Sequence, residues 1–182
     1  MKALFFLDVF DQTIRKLKSQ LANIITFTNL SLGGLAIIEC LKGNLNLSLL
    51  LIFIAALADR FDGMIARKFH IESEFGKQLD SMSDIISFGV APALLIFQGV
   101  LFEFGTVGAF FTIFYIGCGA FRLARFNISE SNGYFIGLPI TVAGCLATFS
   151  FLFTPYFPPQ TYIYFITLLS FFMISPFKVK KM

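Results

Sequence analysis

Residues 59–84 read DRFDGMIARKFHIESEFGKQLDSMSD and carry four aspartates, Asp59, Asp62, Asp80 and Asp84, between long apolar stretches. An ionisable side chain inside a lipid-embedded helix costs about 2.5 to 3.5 kcal/mol on insertion scales. Four carboxylates in such surroundings therefore need a compensating partner or a function.

The composition excludes an ordinary soluble domain. Hydrophobic residues make up 57% of the 182 residues, and charged residues only 14%. Such a balance is typical of an integral membrane protein, so we expect membrane lipids, and no nucleic acid, as partners. The three cysteines lie in apolar segments and the chain has one histidine, which makes a zinc site or a disulfide framework improbable.

The apolar segments predict an all-α, polytopic membrane protein. A helix of 21 residues is about 31 Å long, which is enough to cross the hydrocarbon core. Residues 1–20 are expected to be an amphipathic juxtamembrane segment with a short surface helix, a frayed polar leader being the alternative. Residues 21–182 then form one domain of six transmembrane helices, at about 21–41, 45–69, 76–101, 104–127, 135–155 and 161–177.

The basic residues predict the orientation. If the N-terminus is cytoplasmic, 13 of the 14 lysines and arginines lie on or toward that side, and only Lys42 lies outside. The positive-inside rule therefore favours a multi-pass protein of the cell membrane with both termini in the cytoplasm. The aspartate stretch is then near the cytoplasmic side.

Helical spacing brings the aspartates onto two faces. Asp59 and Asp62 share a face of the second helix, and Asp80 and Asp84 share one of the third, its antiparallel neighbour. Oxygen ligands of this kind bind Mg²⁺, Mn²⁺ or Ca²⁺, and two ions about 3.5 to 4 Å apart are expected. The alternative is a set of structural ion pairs with the nearby basic residues Arg60, Arg67, Lys68 and Lys77.

The spacing Asp59-x2-Asp62-Gly63-x2-Ala66-Arg67-x8-Gly76-x3-Asp80-x3-Asp84 resembles the signature of the CDP-alcohol phosphatidyltransferase family at every position. The resemblance implies a membrane enzyme that transfers a phosphatidyl group from a CDP-linked lipid to an alcohol and releases CMP. It also implies a divalent metal, Mg²⁺ or Mn²⁺, at a site that Ca²⁺ can also occupy. The implied ligands are Asp59, Asp62, Asp80 and Asp84, and Asp84 is also the implied general base.

The CDP-lipid is expected to contact residues of the first two helices. The resemblance implies contacts from Asp59, Gly63 and Arg67, and Thr26 and Asn29 are weaker candidates. Gly63 removes side-chain bulk beside the acidic face, and the Arg67 guanidinium offers a bidentate fork to a phosphate.

Two further stretches bear on the alcohol. DSMSDIISFGVAPA at 80–93 and FRLARFN at 121–127 resemble the phosphatidylserine synthase branch of the family. Arg122 and Arg125 are candidates to bind the serine carboxylate or a phosphate, and topology-setting arginines are the alternative. Ser83 and Ser87 share the Asp84 face and either contact the alcohol or pack against a neighbouring helix.

Other functions remain open from the sequence. The same transfer to glycerol phosphate, inositol or inositol phosphate would use the same aspartates. A cation transporter would also use intramembrane carboxylates, although the later three spans carry no second aspartate cluster. A homodimer is expected from the family resemblance, with Gly33 and Gly34 among the possible packing residues.

Overall fold

The computed structural model describes residues 23–69, 74–128 and 134–180. The predicted amphipathic segment, residues 1–20, lies outside the described residues. Within α2, defined below, the side chains of Asp62, Gly63 and Arg67 also lie outside them.

Six helices form the described part of the chain, as the apolar segments predict. They are α1 Asn23–Leu41, α2 Leu45–Phe69, α3 Glu74–Gly99, α4 Thr106–Ile128, α5 Ile140–Ser150 and α6 Gln160–Ile174. Two short 3₁₀ turns accompany them, Leu101–Phe104 before α4 and Phe151–Phe153 after α5. A π-helical turn, Ile85–Val90, interrupts α3.

The turn between α1 and α2 is tight and polar. Gly43 has a positive φ of 83°, which the absence of a Cβ makes inexpensive. The Glu39 carboxylate accepts hydrogen bonds from Lys42 Nζ and Asn44 Nδ2, each at 2.7 Å. These bonds fix α1 and α2 as an antiparallel pair.

The prediction that the fifth helix begins near residue 135 is wrong, because α5 begins at Ile140. Gly137 has a φ of 75°, outside the right-handed helical region, and Pro139 caps the helix in an extended conformation. The preceding residues Tyr134–Ile136 instead form a strand that pairs antiparallel with Lys178–Lys180. This two-stranded ribbon ties the α4–α5 connection to the C-terminal tail.

The sixth helix is also shorter than predicted, since α6 ends at Ile174 and not at Phe177. A proline disfavours the helical conformation at the residue before it. Ser175, which precedes Pro176, is accordingly extended, with φ −53° and ψ 143°.

Helix α3 lies at the centre of the bundle, in contact with α2, α4 and α5. Around it, one buried apolar cluster joins α3 to α4, α5 and α6, and its largest members include Phe88, Tyr115 and Ile140. A second cluster, Ala36, Ile52, Ala91 and Leu95, joins it to α1 and α2. The helix that carries Asp80 and Asp84 is therefore held from several sides.

Three helices are long and apolar enough to cross a membrane, by length and composition: α1, α3 and α4. Helices α5 and α6 are apolar but shorter, and α2 carries its charged residues in its second half. Large apolar side chains such as Phe110 and Ile113 are exposed on the outer surface. Exposed apolar area of this extent is expected where lipid replaces water.

Candidate active site

Three of the four aspartates come together between α2 and α3. One carboxylate oxygen from each of Asp59, Asp80 and Asp84 lies within 4.8 Å of the others. Asp80 and Asp84 are four residues apart on α3, so their side chains occupy the same face. The expectation that the acidic faces of the two helices meet is confirmed for these three residues.

Asp84 is the most deeply placed of the three, with 8% of its surface exposed. Within the described residues, its Oδ1 atom is buried and has no hydrogen-bond partner. A buried acceptor without a partner costs about 1 to 3 kcal/mol, and more when it is charged. The position therefore calls for a bound cation or a proton donor.

The three carboxylates fit a hard divalent cation. All of the ligand atoms are oxygens, and they lie close enough together to contact one ion. Oxygen donors without histidine or cysteine favour Mg²⁺, Mn²⁺ or Ca²⁺ over zinc. The unpartnered Oδ1 of Asp84 supplies the acceptor that such an ion would satisfy.

Arg122 of α4 faces the aspartate cluster. It is only 5% exposed, and it interacts electrostatically with Asp84. Its guanidinium carbon lies 5.4 Å from the centre of the Phe126 ring, and its Nε has no hydrogen-bond partner in the described part of the chain. A buried guanidinium with an unused donor beside a polar site is suited to bind an anion.

Arg125, one turn further along α4, has a different environment. Its guanidinium donates to the carbonyl oxygens of Ile174, at 3.2 Å, and Ser175, at 3.5 Å. A cation at this position satisfies the free carbonyls at the C-terminus of α6 and complements the helix dipole. Of the two arginines selected from the sequence, Arg122 is thus the one that reaches the aspartates.

Helices α3 and α4 are also joined beside the cluster. The Asn127 amide donates to Ser81 Oγ at 3.1 Å, and Ser81 follows Asp80 directly. This bond links the end of α4 that carries Arg122 to the turn of α3 that carries Asp80.

Ser83 and Ser87 direct their hydroxyls toward α1. Ser83 Oγ donates to the Thr26 carbonyl at 3.3 Å, and Ser87 Oγ donates to the Asn29 carbonyl at 3.1 Å. These contacts agree with the helix-packing alternative that the sequence left open for both serines. The Asn29 side chain is buried there, and neither its oxygen nor its nitrogen has a partner among the described residues.

No pattern in the sequence indicates a role for Cys145. This residue of α5 lies near enough to Asp59 for the carboxylate to influence its thiol, and it lines an open groove between α2 and α5 of about 360 Å³. The groove is almost entirely apolar, so its residues have no distinctive pattern in a membrane protein. The remaining lining residues are Phe53, Thr141, Val142, Leu146 and Phe149.

Comparisons with known proteins identify the family of this chain. The family profile of the CDP-alcohol phosphatidyltransferases matches residues 19–176. A CDP-diacylglycerol–serine O-phosphatidyltransferase of Bacillus subtilis is 41% identical over 134 residues, which are 72% of this chain and 76% of that protein. An archaetidylserine synthase of Methanothermobacter thermautotrophicus is 37% identical over 158 residues, 85% of this chain and 67% of that protein.

A further CDP-diacylglycerol–serine O-phosphatidyltransferase, from Methanocaldococcus jannaschii, is 41% identical over 134 residues, 74% of this chain and 61% of that protein. The profile match spans most of the chain, including both helices that supply the clustered aspartates. The chain therefore belongs to the CDP-alcohol phosphatidyltransferase family.

Proposed function

We propose that this protein transfers a phosphatidyl group from a CDP-activated lipid to the hydroxyl of L-serine and releases CMP. The lipid is CDP-diacylglycerol or its ether-linked analogue. The observation that carries the proposal is a buried carboxylate, Asp84, within a cluster of three aspartates, together with a buried guanidinium, Arg122, that interacts electrostatically with it. Family membership and the names of the similar proteins support the same reaction.

The chemistry of serine matches the pairing of Asp84 with Arg122. In serine, the nucleophilic hydroxyl and the carboxylate are separated by only two carbon atoms. A site for serine therefore needs a base and a carboxylate-binding cation within reach of each other, and the Asp84 carboxyl and the Arg122 guanidinium do interact electrostatically. Inositol carries no charge that would require a buried guanidinium.

In the proposed reaction, the Asp84 carboxylate accepts the proton from the serine hydroxyl as that oxygen attacks the lipid-side phosphorus. A bond forms between the serine oxygen and this phosphorus. The bond from the phosphorus to the bridging oxygen breaks, and its electron pair leaves with CMP. Arg122 holds the serine carboxylate and thereby orients the hydroxyl toward Asp84.

The divalent cation belongs to the aspartate cluster in this proposal. Asp59, Asp80 and Asp84 would hold it, together with Asp62, which completes the motif on α2. When bound, Mg²⁺ or Mn²⁺ neutralises negative charge on the diphosphate and on the departing phosphate. Two ions are expected from the number of carboxylates.

The CDP-lipid is proposed to lie across α1, α2 and α5. Asp59, Gly63 and Arg67 are the proposed contacts for the nucleotide and its phosphates. The buried, unpartnered Asn29 amide, beside Thr26, supports a polar contact on the α1 side. The apolar groove that Cys145 lines between α2 and α5 supports a hydrocarbon chain lying there.

We further propose six membrane spans, with both termini and the active site at the cytoplasmic face of the cell membrane. Residues 1–20 form the surface segment, residues 21–182 form the membrane domain, and the protein is a homodimer. Labelling of an introduced cysteine tests the topology. Asn44→Cys should react with a membrane-impermeant maleimide added outside intact cells. Labelling only after cell lysis would contradict this orientation.

The reaction itself is tested with purified protein, CDP-lipid and Mn²⁺ or Mg²⁺. We expect CMP release to require serine and the metal. Release with inositol or glycerol phosphate, but not with serine, would overturn the serine assignment while leaving the family chemistry intact. Metal transport into liposomes without any CMP release would overturn the enzymatic proposal.

A further inference from the structure

The π-helical turn of α3 begins directly after Asp84. In this turn the Ala91 N–H donates to the carbonyl of Ile86, five residues earlier, instead of four as in an α-helix. A wider turn of this kind changes the rotation of the preceding helix relative to the following one. The direction in which Asp80 and Asp84 point therefore depends on the turn.

Pro92 explains why the turn forms. In a regular α-helix, residue 92 would donate its N–H to the carbonyl of Phe88, four residues earlier. Proline has no N–H, and its ring clashes with that carbonyl, so the backbone widens and the Phe88 carbonyl loses its usual donor. Pro92 and Phe88 are both buried. The hydrocarbon region of a membrane holds no water that could donate a hydrogen bond to the Phe88 carbonyl in place of the missing N–H.

Tyr115 of α4 supplies the missing donor. Its hydroxyl donates to the Phe88 carbonyl at 3.2 Å, and its side chain is completely buried. On the α5 side, Gly144 packs so closely that a Cβ at this position would lie 2.6 Å from the same carbonyl oxygen. The carbonyl is thus held between a tyrosine hydroxyl and a glycine.

The turn is fixed on its α1 side as well. Ser87 Oγ donates to the Asn29 carbonyl at 3.1 Å. A Cβ on Gly33 would lie 2.8 Å from the Ser87 Cα. Contacts from α1, α4 and α5 therefore hold one short segment, and that segment orients two of the three clustered aspartates.

We propose that Tyr115 is a positioning residue: its bond to Phe88 stabilises the π-helical turn that points Asp80 and Asp84 toward Asp59 and the serine hydroxyl. Without the hydroxyl, the turn loses the bond from Tyr115 that satisfies the buried Phe88 carbonyl. The segment then relaxes, and a rotation of α3 before residue 85 moves both carboxylates at once. The kinetic part of this inference rests on the proposed function, whereas its metal-binding part requires no turnover.

The first test is Tyr115→Phe, which removes the hydroxyl and keeps the ring. We expect kcat to fall roughly 10- to 100-fold, as for small misplacements of catalytic groups, with a smaller change in the KM for serine. We also expect Mn²⁺ affinity, measured by titration calorimetry, to fall roughly 10- to 100-fold, as when supporting contacts of metal ligands are removed. Wild-type kcat together with wild-type Mn²⁺ affinity would overturn the proposal.

Tyr162→Phe is the matched control. Tyr162 is also buried, and its hydroxyl also donates to a backbone carbonyl, that of Ser150 at 3.0 Å. This bond joins α6 to the end of α5, away from the aspartates. We expect wild-type kcat and metal affinity for this variant, and losses equal to those of Tyr115→Phe would refute a specific role for Tyr115.

Pro92→Ala provides a second test that does not remove a stabilising bond. An alanine at 92 restores the N–H that can donate to Phe88 and lets α3 continue as a regular helix. We expect the melting temperature to hold or rise while kcat and Mn²⁺ affinity fall. An active Pro92→Ala variant with wild-type metal affinity would overturn the proposal. If the wild-type protein shows no turnover at all, the Mn²⁺ affinities of the variants still test whether the π-helical turn positions the aspartates.

Discussion

Asp84→Asn separates the chemical role of Asp84 from its role in holding metal. Asparagine keeps the shape of the side chain, so packing around this 8% exposed position is preserved. It removes the base that would take the serine proton. General base catalysis contributes about 10²- to 10⁴-fold, which is about 2.7 to 5.4 kcal/mol of barrier at 1.36 kcal/mol per tenfold. We therefore expect kcat to fall by at least about 100-fold.

The electrostatics of the cluster give a second, independent expectation for the same variant. Two unit charges 4.8 Å apart repel by about 3.5 kcal/mol at an effective dielectric constant of 20. In Asp84→Asn, this repulsion of residue 84 from Asp59 and Asp80 cannot arise when no metal is bound. The metal-free Asp84→Asn protein should therefore melt at or above the wild-type temperature. That result would show that the variant loses turnover for a reason other than unfolding.

The assay measures CMP release and Mn²⁺ affinity on the same preparations, with Asp59→Asn for comparison. Asp84→Asn should keep part of the Mn²⁺ affinity. Asp59→Asn should bind Mn²⁺ more weakly and should recover some turnover when a high Mn²⁺ concentration fills the site. The reasoning is refuted if Asp84→Asn retains more than about 10% of wild-type kcat. Equal metal affinities in wild type and both variants would also contradict this division of roles.

Three further variants test other parts of the site. Arg122→Gln should raise the KM for serine at least about 10-fold, because one charge-assisted hydrogen bond is lost, and should leave the KM for CDP-lipid unchanged. Steady-state kinetics with each substrate varied in turn measure both values, and a raised KM for CDP-lipid with an unchanged KM for serine would contradict this role. Cys145→Leu should raise the KM for CDP-lipid and not that for serine, because the larger side chain narrows the groove between α2 and α5. An unchanged KM for CDP-lipid would exclude a hydrocarbon chain from this groove. Gly33→Ala should lower the melting temperature because its Cβ would collide with Ser87, whereas Gly34→Ala, which meets nothing within 4 Å, should not; equal melting curves would contradict the tight contact.

The aspartate cluster could be predicted from the sequence because it depends on two regular features. Helical periodicity sets Asp80 and Asp84 on one face, and the short connection makes α2 and α3 neighbours. Both features hold in the structure, where Asp59 joins the two residues of α3. The number and order of the helices followed in the same way from the lengths of the apolar segments.

The rest depends on contacts between residues that are distant in the sequence. In the sequence, Arg122 and Arg125 are equally good candidates for the site, because both lie near one face of the same helix. Only the position of α6 distinguishes their roles, because its free carbonyls accept hydrogen bonds from the Arg125 guanidinium. Tyr115 and Pro92 each look ordinary in an apolar helix. Their relation becomes visible only when α4 lies against the π-helical turn.

The error at the start of α5 has a similar origin. Residues 135–139 are apolar enough to continue a span, and hydropathy alone gives no reason to stop before them. In the structure the helix starts only after Gly137 and Pro139. The partner strand Lys178–Lys180 lies about 40 residues away in the sequence and has no pattern that predicts the pairing.

The most direct measurement of the central claim is CMP release by purified protein, with one CDP-lipid and separate additions of L-serine, glycerol 3-phosphate and inositol. The account predicts metal-dependent release with serine, little or none with the other two alcohols, and release with serine at least about 100-fold slower for Asp84→Asn. Release that is independent of serine, or equal for wild type and Asp84→Asn, would contradict it.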